Sequence, residues 1–289
     1  MENLGFIFRN LRLDRNYSLS EVSEGILSPS FLSKFERGDS DISLSKFYLL
    51  LERLNITMDE FLFISNDYRP TQMEVLMRNV RVAYENNNLT LLLKLEQVEI
   101  EKLKKYNFKS YEYNAIMIRA LAHNLDKKVE MKNTDIESLN NYLFSIENWG
   151  LYELMLFGNS MSILSIDSII TFSKEILNKT QMYRSIKKNK EHLVRVLLNI
   201  IVSCIELNRT TSISYFITSA EKIIERSDLY FEKIKLLYLT GIYKIIIGNS
   251  PLGVSMCKKA IQIMYDLNDI NTANNHEEYL KGKLRNFQI

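Results

Sequence analysis

Residues 28–38 read SPSFLSKFERG, a short helix with both its start and its stop written in. Ser28 suits the N-cap, and Pro29 fits the first helical position, where its missing N–H costs nothing. Gly38 stands where a helix ends in a left-handed turn. Upstream, Ser18-Leu-Ser-Glu21 has the spacing of a capping box and starts a helix with Val22 and Ile26 on its buried face. The two-residue apolar turn Ile26-Leu27 joins these helices as in a tri-helical DNA-binding unit. Downstream, Ile42-Ser-Leu44 leads into a helix carrying Phe47, Leu50, Leu51 and Leu54, and Asn55-Ile-Thr-Met-Asp-Glu-Phe61 caps another. Residues 1–66 are therefore expected to form five short helices around a core of Leu32, Phe35, Leu44, Leu51 and Leu54.

The rest of the chain reads differently. Asn66-Asp-Tyr-Arg-Pro70 is a polar break, and beyond it the pattern becomes helices of about 15–20 residues, with apolar residues at i, i+3, i+4 and i+7. Leu193, Val196, Leu197, Ile200, Ile201 and Cys204 are one such stripe. The helices fall into pairs: 71–86 with 89–105, 108–125 with 133–148, 150–164 with 166–179, 189–208 with 211–227, and 230–248 with 251–268. A last helix at 271–287 closes the array. A two-helix repeat of about 40 residues predicts an α-solenoid over 71–289. The chain has 289 residues but only 9 Gly and 3 Pro, where average usage gives about 20 and 14. Such scarcity favours long helices over turn-rich β folds or phosphate-cradling loops. Gly241, Gly253, Cys257 and Ala260 place small residues on both helices of the fifth pair, which resembles the tetratricopeptide pattern of close helix packing. Gly248 is read as ending its first helix, with Ser250 capping the second and Pro251 following. The expected fold is all-α: an N-terminal head, then a tetratricopeptide-like solenoid with a C-terminal capping helix.

In a helix-turn-helix the second helix enters the major groove. Its outward residues are Ser30, Ser33, Lys34 and Arg37. Lys34 can read a guanine edge, while Ser30 and Phe31 can touch a base edge or a thymine methyl. Arg9, Arg12 and Arg15 lie along the first helix, where they would meet phosphates. The head nevertheless has 7 Lys/Arg against 10 Asp/Glu, a net charge of −3, and the whole chain carries only +2. One head is therefore a weak binder, and two heads on a paired site are needed. The segments SPSFLSKFERG and ISLSKFYLLLERLNITMDEF resemble the lambda-repressor-like (Xre) helix-turn-helix, with Ser28, Ser33, Glu36 and Gly38 matching position by position.

An Xre-type head on a helical-repeat body resembles the Rgg (GadR/MutR) regulators of Gram-positive bacteria. The likeness rests on FLSKFERGDSDIS and on YLFSIENWGLYELMLFGNS at 142–160. It implies a cytoplasmic receptor for short, mostly apolar signalling peptides that controls transcription as a homodimer on double-stranded promoter DNA. Some members have a cysteine in the ISxS segment that bridges the two heads. Here the position is Leu44, so pairing must be noncovalent.

The body has its own argument for a peptide groove. Asn79, Asn114, Asn159 and Asn199 recur near the repeat spacing on the first helix of each pair, and Gly241 follows at a corresponding level. An amide has donors and acceptors enough to clamp an extended peptide backbone. First helices line the concave face of a solenoid. Arg78 or Arg81 could meet a carboxylate, and Tyr152, Phe157, Tyr238 and Tyr243 could supply pockets. The plainer alternative is that the asparagines bridge adjacent repeats or face solvent, and that Trp149 packs beside Gly150.

His123, His192 and His276 are isolated from one another and from Cys204 and Cys257, and no HExxH, CxxC or nucleophile-elbow motif occurs. No enzyme chemistry, metal or cofactor is expected. Cys204 and Cys257, inside apolar helices, read as buried thiols of a cytoplasmic protein. The residues up to Asn16 lack the apolar core of a signal peptide, and no apolar run is long enough for a membrane span. A competing reading is a repeat adaptor whose groove holds a protein partner, with the head ancillary.

Overall fold

The computed structural model describes residues 4–66 and 69–286. Asp67 and Tyr68, from the middle of the expected polar break, and Phe287, from the end of the expected last helix, lie outside them. Among the described residues all regular structure is helical. The chain parts into two compact units between Val82 and Ala83, inside a helix and beyond the break at 66–70.

The first unit contains α1 (Leu4–Asp14), α2 (Leu19–Ser23), α3 (Pro29–Arg37), α4 (Leu44–Arg53) and α5 (Met58–Ser65), followed by most of α6 (Gln72–Glu85). The caps fall where the sequence puts them. Ser18 and Glu21 form a reciprocal capping box, Ser28 accepts from the Phe31 N–H, and Thr57 and Glu60 form a second box. Gly38 closes α3 in the left-handed region at φ 81°. The Ser18 and Thr57 hydrogen bonds hold the Glu21 and Glu60 carboxyls below their ordinary range.

Phe8, Val22, Leu32, Phe35, Phe47, Leu50, Leu51, Leu54 and Phe61 form the centre of the core. Four rings stack edge-on through it: Phe47 lies 5.9 Å from Phe8, 5.8 Å from Phe35 and 4.8 Å from Phe61. Such pairs add about 0.5–1.5 kcal/mol each beyond the area they bury. Leu44 departs from the expectation. It shares a stripe with Phe47, Leu51 and Leu54, but as the first residue of α4 it projects past the edge of the core and is 73% exposed.

The second unit runs from the end of α6 through α7 (Leu89–Tyr106), α8 (Lys109–Leu125), α9 (Asn133–Ser145), α10 (Leu151–Ser160), α11 (Ile166–Lys179), α12 (Lys187–Glu206), α13 (Thr210–Ile224), α14 (Tyr230–Ile246), α15 (Ser250–Asp266) and α16 (Ile270–Asn286). These bounds follow the sequence pattern to within a few residues. The helices α8, α10, α12 and α14 pack side by side in one layer, with α13 and α15 behind the last two.

Pair spacing depends on what lies between the helices. Gly241 and Gly253 let α14 and α15 touch backbone to backbone. Between α10 and α11 stand Trp149, Phe157 and Phe172, their ring centroids 5.5–5.8 Å apart. Trp149 is fully buried, as the packing reading of it requires. Its indole N–H donates to Leu143 O, and its backbone N–H donates to Lys179 O. Lys179 Nζ in turn donates to the carbonyls of Leu143, Phe144 and Ile146 at the end of α9. The segment 142–160 thus builds a clasp joining α9, α10 and α11. Lys179→Met keeps the stem but takes this donor from Phe144 O and Ile146 O, while Leu143 O keeps the Trp149 indole. It should cost about 1–3 kcal/mol, read as a lower urea midpoint with an unchanged slope.

The α14–α15 turn has Gly248 at φ 89°, as expected, but the N-cap is Asn249 rather than Ser250. Cys204 and Cys257 are buried free thiols, and burial pushes Cys257 up to about 12. No described helix is long and apolar enough to cross a membrane.

Candidate nucleic-acid and peptide interfaces

α3 is held from three sides, and its outer face is left open. Leu32 and Phe35 face the core, whereas Ser30, Phe31, Lys34 and Arg37 are exposed and Ser33 is half-buried. Ser28 does not project as a reader, because its Oγ caps the helix and sits 3.1 Å from Ser30 Oγ. Arg37 is braced along the surface, donating to Asp39 Oδ2 at 2.8 Å and Ser33 Oγ at 2.7 Å. Lys34 has no paired carboxylate among the described residues and is the freest cation on α3.

Arg9 on α1 and Arg15 just past its end are exposed, and Arg15 also donates to Leu11 O. Arg12 corrects the sequence reading. It is 6% exposed, too buried for a phosphate contact. Its guanidinium grips Glu36 in a two-pronged ion pair, Nε to Oε1 at 2.7 Å and Nη2 to Oε2 at 2.8 Å, while Nη1 donates to Tyr17 O at 2.6 Å. The Glu36 hydrogen bond raises the Arg12 pKa further, so the charge persists at any working pH. Helical periodicity puts Arg9, Arg12 and Arg15 on similar faces but cannot say which one turns inward. The signal available in the sequence was Glu36, a carboxylate on the core face of α3 that needed a buried cation. Arg53 was also missed. Its Nη1 donates to Glu21 O and Glu24 O, closing the C-terminal end of α2.

In the body, the asparagine series divides. Asn114 is 3% exposed, donates to Glu99 Oε2 at 2.8 Å and accepts from the Tyr152 hydroxyl at 3.1 Å. It joins α7, α8 and α10 and is not open to a ligand. Tyr152 is spent in the same network, its hydroxyl also donating to Ser110 O. Asn159 is half-buried and donates to Met117 Sδ across to α8. Asn199 alone of these candidates on the layered helices stands exposed. Tyr238 is 2% exposed and donates to His276 O on α16, so it is a packing residue. Gly241 faces α15, not the level of the asparagines. Arg78 and Arg81 occupy exposed positions on the part of α6 that belongs to the first unit, and Asn79 is half-buried there.

What the layer leaves open is narrow. From Leu193 to Glu206 the exposed positions of α12 are Arg195, Asn199, Val202 and Glu206. Their spacing of four, three and four is one helical stripe. With α10 and α14 at its sides and α13 behind, this stripe is the open face of α12. Arg195 pairs with Glu232 of α14 at 2.9 Å and with Glu191, and Glu206 bonds to Tyr279 and Lys283 of α16.

Residues 95–278 match the family model described as the C-terminal domain of the HTH-type transcriptional regulator Rgg, and residues 8–61 match a helix-turn-helix model. Among solved structures, the SHP pheromone receptor Rgg2 of Streptococcus dysgalactiae is 29% identical. That match covers 96% of this chain and 99% of that one, at a TM-score of 0.83. A putative transcriptional regulator from Listeria monocytogenes is 22% identical over 99% of each chain, at a TM-score of 0.88. ComR from S. thermophilus, in complex with DNA and its signalling peptide ComS, is 19% identical over 98% and 99%, at a TM-score of 0.65.

Proposed function

The chain belongs to the Rgg family of HTH-type transcriptional regulators, and from that premise we propose that it is a cytoplasmic homodimer that binds promoter DNA through α3 and is switched by a short apolar peptide held in its helical body. The observation that carries the DNA half is the open row Ser30, Phe31, Lys34 and Arg37 on a helix whose caps and core contacts fix its pose. Lys34 reads a base edge, Arg37 with Ser33 lies against it, and Arg9 and Arg15 meet phosphates. Because the head carries −3, two heads act together on a two-fold related site, and the body holds them as a pair. The peptide half is supported by the likeness to the Rgg2 pheromone receptor over nearly the whole chain. Asn199 is the amide placed to hold the peptide backbone. Peptide binding selects one arrangement of heads and body by its differential affinity for the two.

DNA recovered by selection from a random-sequence pool tests the reading. The recovered site should be a pseudo-palindrome. Lys34→Ala with Arg37→Ala should weaken binding to it about 10–100-fold at fixed salt, the scale of lost base readout. A double variant that shifts the selected DNA as wild type does would show that α3 is not the reading helix.

A further inference from the structure

On the open stripe of α12 the two charged ends are not equivalent. The Glu206 end is closed, since its carboxylate is bonded by Tyr279 and Lys283. At the Arg195 end, Arg195 takes both Glu232 and Glu191. Beside it lies Lys235 of α14, half-buried, its Nζ 4.5 Å over the Phe231 ring. The remaining acid nearby is Asp269, whose Oδ1 accepts from the Thr272 N–H at the start of α16. Among the described residues, Lys235 makes no ion pair, although the Glu232 and Asp269 carboxylates stand near it, the first held by Arg195 and the second accepting from a backbone N–H. Burial first, and then the Arg195 charge, lower its pKa, outweighing the opposite pull of the nearby Glu232 and Asp269 carboxylates. His276, also near it, is held below its ordinary range chiefly by burial and adds no counter-charge.

A half-buried ammonium with no hydrogen bond to protein depends on water for its hydrogen-bond partners. An arriving carboxylate supplies them and strengthens the charged state. We propose that Lys235, with Arg195 beside it, is the carboxylate-binding end of the peptide site, so that the ligand's C-terminal carboxylate docks there and its chain runs along α12 past Asn199 toward Glu206. The geometry sets the register. Asn199 stands about 6 Å along the helix axis from Arg195, about two residues of extended chain. It thus meets the backbone two residues before the C-terminus, with Val202 beneath the next apolar side chain. The stripe from Arg195 to Glu206 is about 16 Å long, room for about five extended residues.

This inference rests on the peptide-receptor reading, and the test separates the two. The probe is a fluorescein-labelled pool of apolar octapeptides of Leu, Ile, Val, Trp and Gly, made with free C-terminal carboxylates. A second pool is C-terminally amidated, and a third is amidated but carries one interior Glu. Binding to the full chain is followed by fluorescence polarisation. On wild type the free-acid pool should bind about tenfold or more tighter than the amidated pool, the scale of one charge-assisted hydrogen bond. Lys235→Gln should erase that difference without weakening the amidated pool, and Lys235→Arg should keep most of it. Equal binding of acid and amide to wild type, or an acid preference that survives Lys235→Gln, overturns the proposal and leaves the receptor reading standing. If the interior-Glu pool recovers the affinity in a Lys235-dependent way while free acids gain nothing, the bound carboxylate is a side chain and the stated direction of the peptide is wrong. If no pool binds, the receptor reading falls and this inference with it.

Discussion

Glu36→Ala should melt the DNA-binding head while the helical body stays folded. The substitution removes one half of a buried, two-pronged ion pair and leaves the Arg12 guanidinium 6% exposed with only Tyr17 O to bond. Stranding a buried charge in this way costs about 3–5 kcal/mol. A unit of this size has about 0.05–0.15 kcal/mol of stability per residue, so the loss consumes most of what the head possesses. Each kcal/mol moves the midpoint of so small a domain by about 4–8 °C. The full-length variant should show an early far-UV CD transition of minor amplitude, rapid proteolysis within residues 4–66, and no binding to selected DNA, with the main transition unmoved. Arg12→Ala should act in the same sense, leaving Glu36 buried and unpaired. Arg12→Met with Glu36→Leu fills similar volume without charge and should recover most of the stability. A Glu36→Ala head that melts where wild type does would mean that the pair is solvated and that Arg12 is free to meet DNA after all.

The head was largely legible in the sequence because its signals are local. Ser18–Glu21, Ser28–Pro29, Gly38 and Thr57–Glu60 each specify a helix end through bonds made within three residues, and each cap formed as written. Arg12, Leu44 and Arg53 were misread or missed, because their roles depend on which element covers which face. Helical periodicity places Leu44 on the core stripe, but nothing in it says that the core stops one turn later.

The body shows the same division. Helix bounds followed from periodicity, yet recurrence of asparagine proved a poor guide to a groove. Much of the asparagine has another use. Asn16, Asn55, Asn87, Asn107, Asn208 and Asn268 all have positive φ and make up the non-glycine residues so placed among those described. In a chain with 9 Gly, asparagine takes over the left-handed helix ends that glycine usually occupies. Asn114 and Asn159 bridge neighbouring helices. Only burial in the folded layer singles out Asn199, and only the pairing of Arg195 with Glu232 and Glu191 exposes Lys235 as unmatched.

The largest effect in the body should come from adding a single methylene-sized group between α14 and α15. A Cβ on Gly253 would stand 2.5 Å from Gly241 O, 2.7 Å from Ile245 Cγ1 and 2.8 Å from Ile245 N. One on Gly241 would stand 2.6 Å from Cys257 Sγ and 2.7 Å from Gly253 O. Each clash includes backbone, which no rotamer change relieves, so the helices must move apart. Gly→Ala within an exposed helix gains about 0.5–1 kcal/mol from propensity. Here overpacking, typically 1–3 kcal/mol and more when backbone is pushed, opposes and exceeds that gain. Gly253→Ala and Gly241→Ala should each lower the urea midpoint of the body, whereas Gly282→Ala, with open space around its Cβ position, should leave it level or raise it. The consequence extends to binding, because α14 carries Lys235 and Glu232 on the side facing α12. Displacing α14 to relieve the clash shifts the Arg195–Glu232 contact, so Gly253→Ala should weaken binding of the free-acid peptide pool even at temperatures where the variant is fully folded. Lys179→Met, which loosens the clasp of α9, α10 and α11, should destabilise the body without that selective loss. If Gly253→Ala keeps wild-type stability, the glycines are not what sets the α14–α15 spacing. If it is destabilised but binds the free-acid pool normally, the α12–α14 seam does not hold the carboxylate end of the peptide.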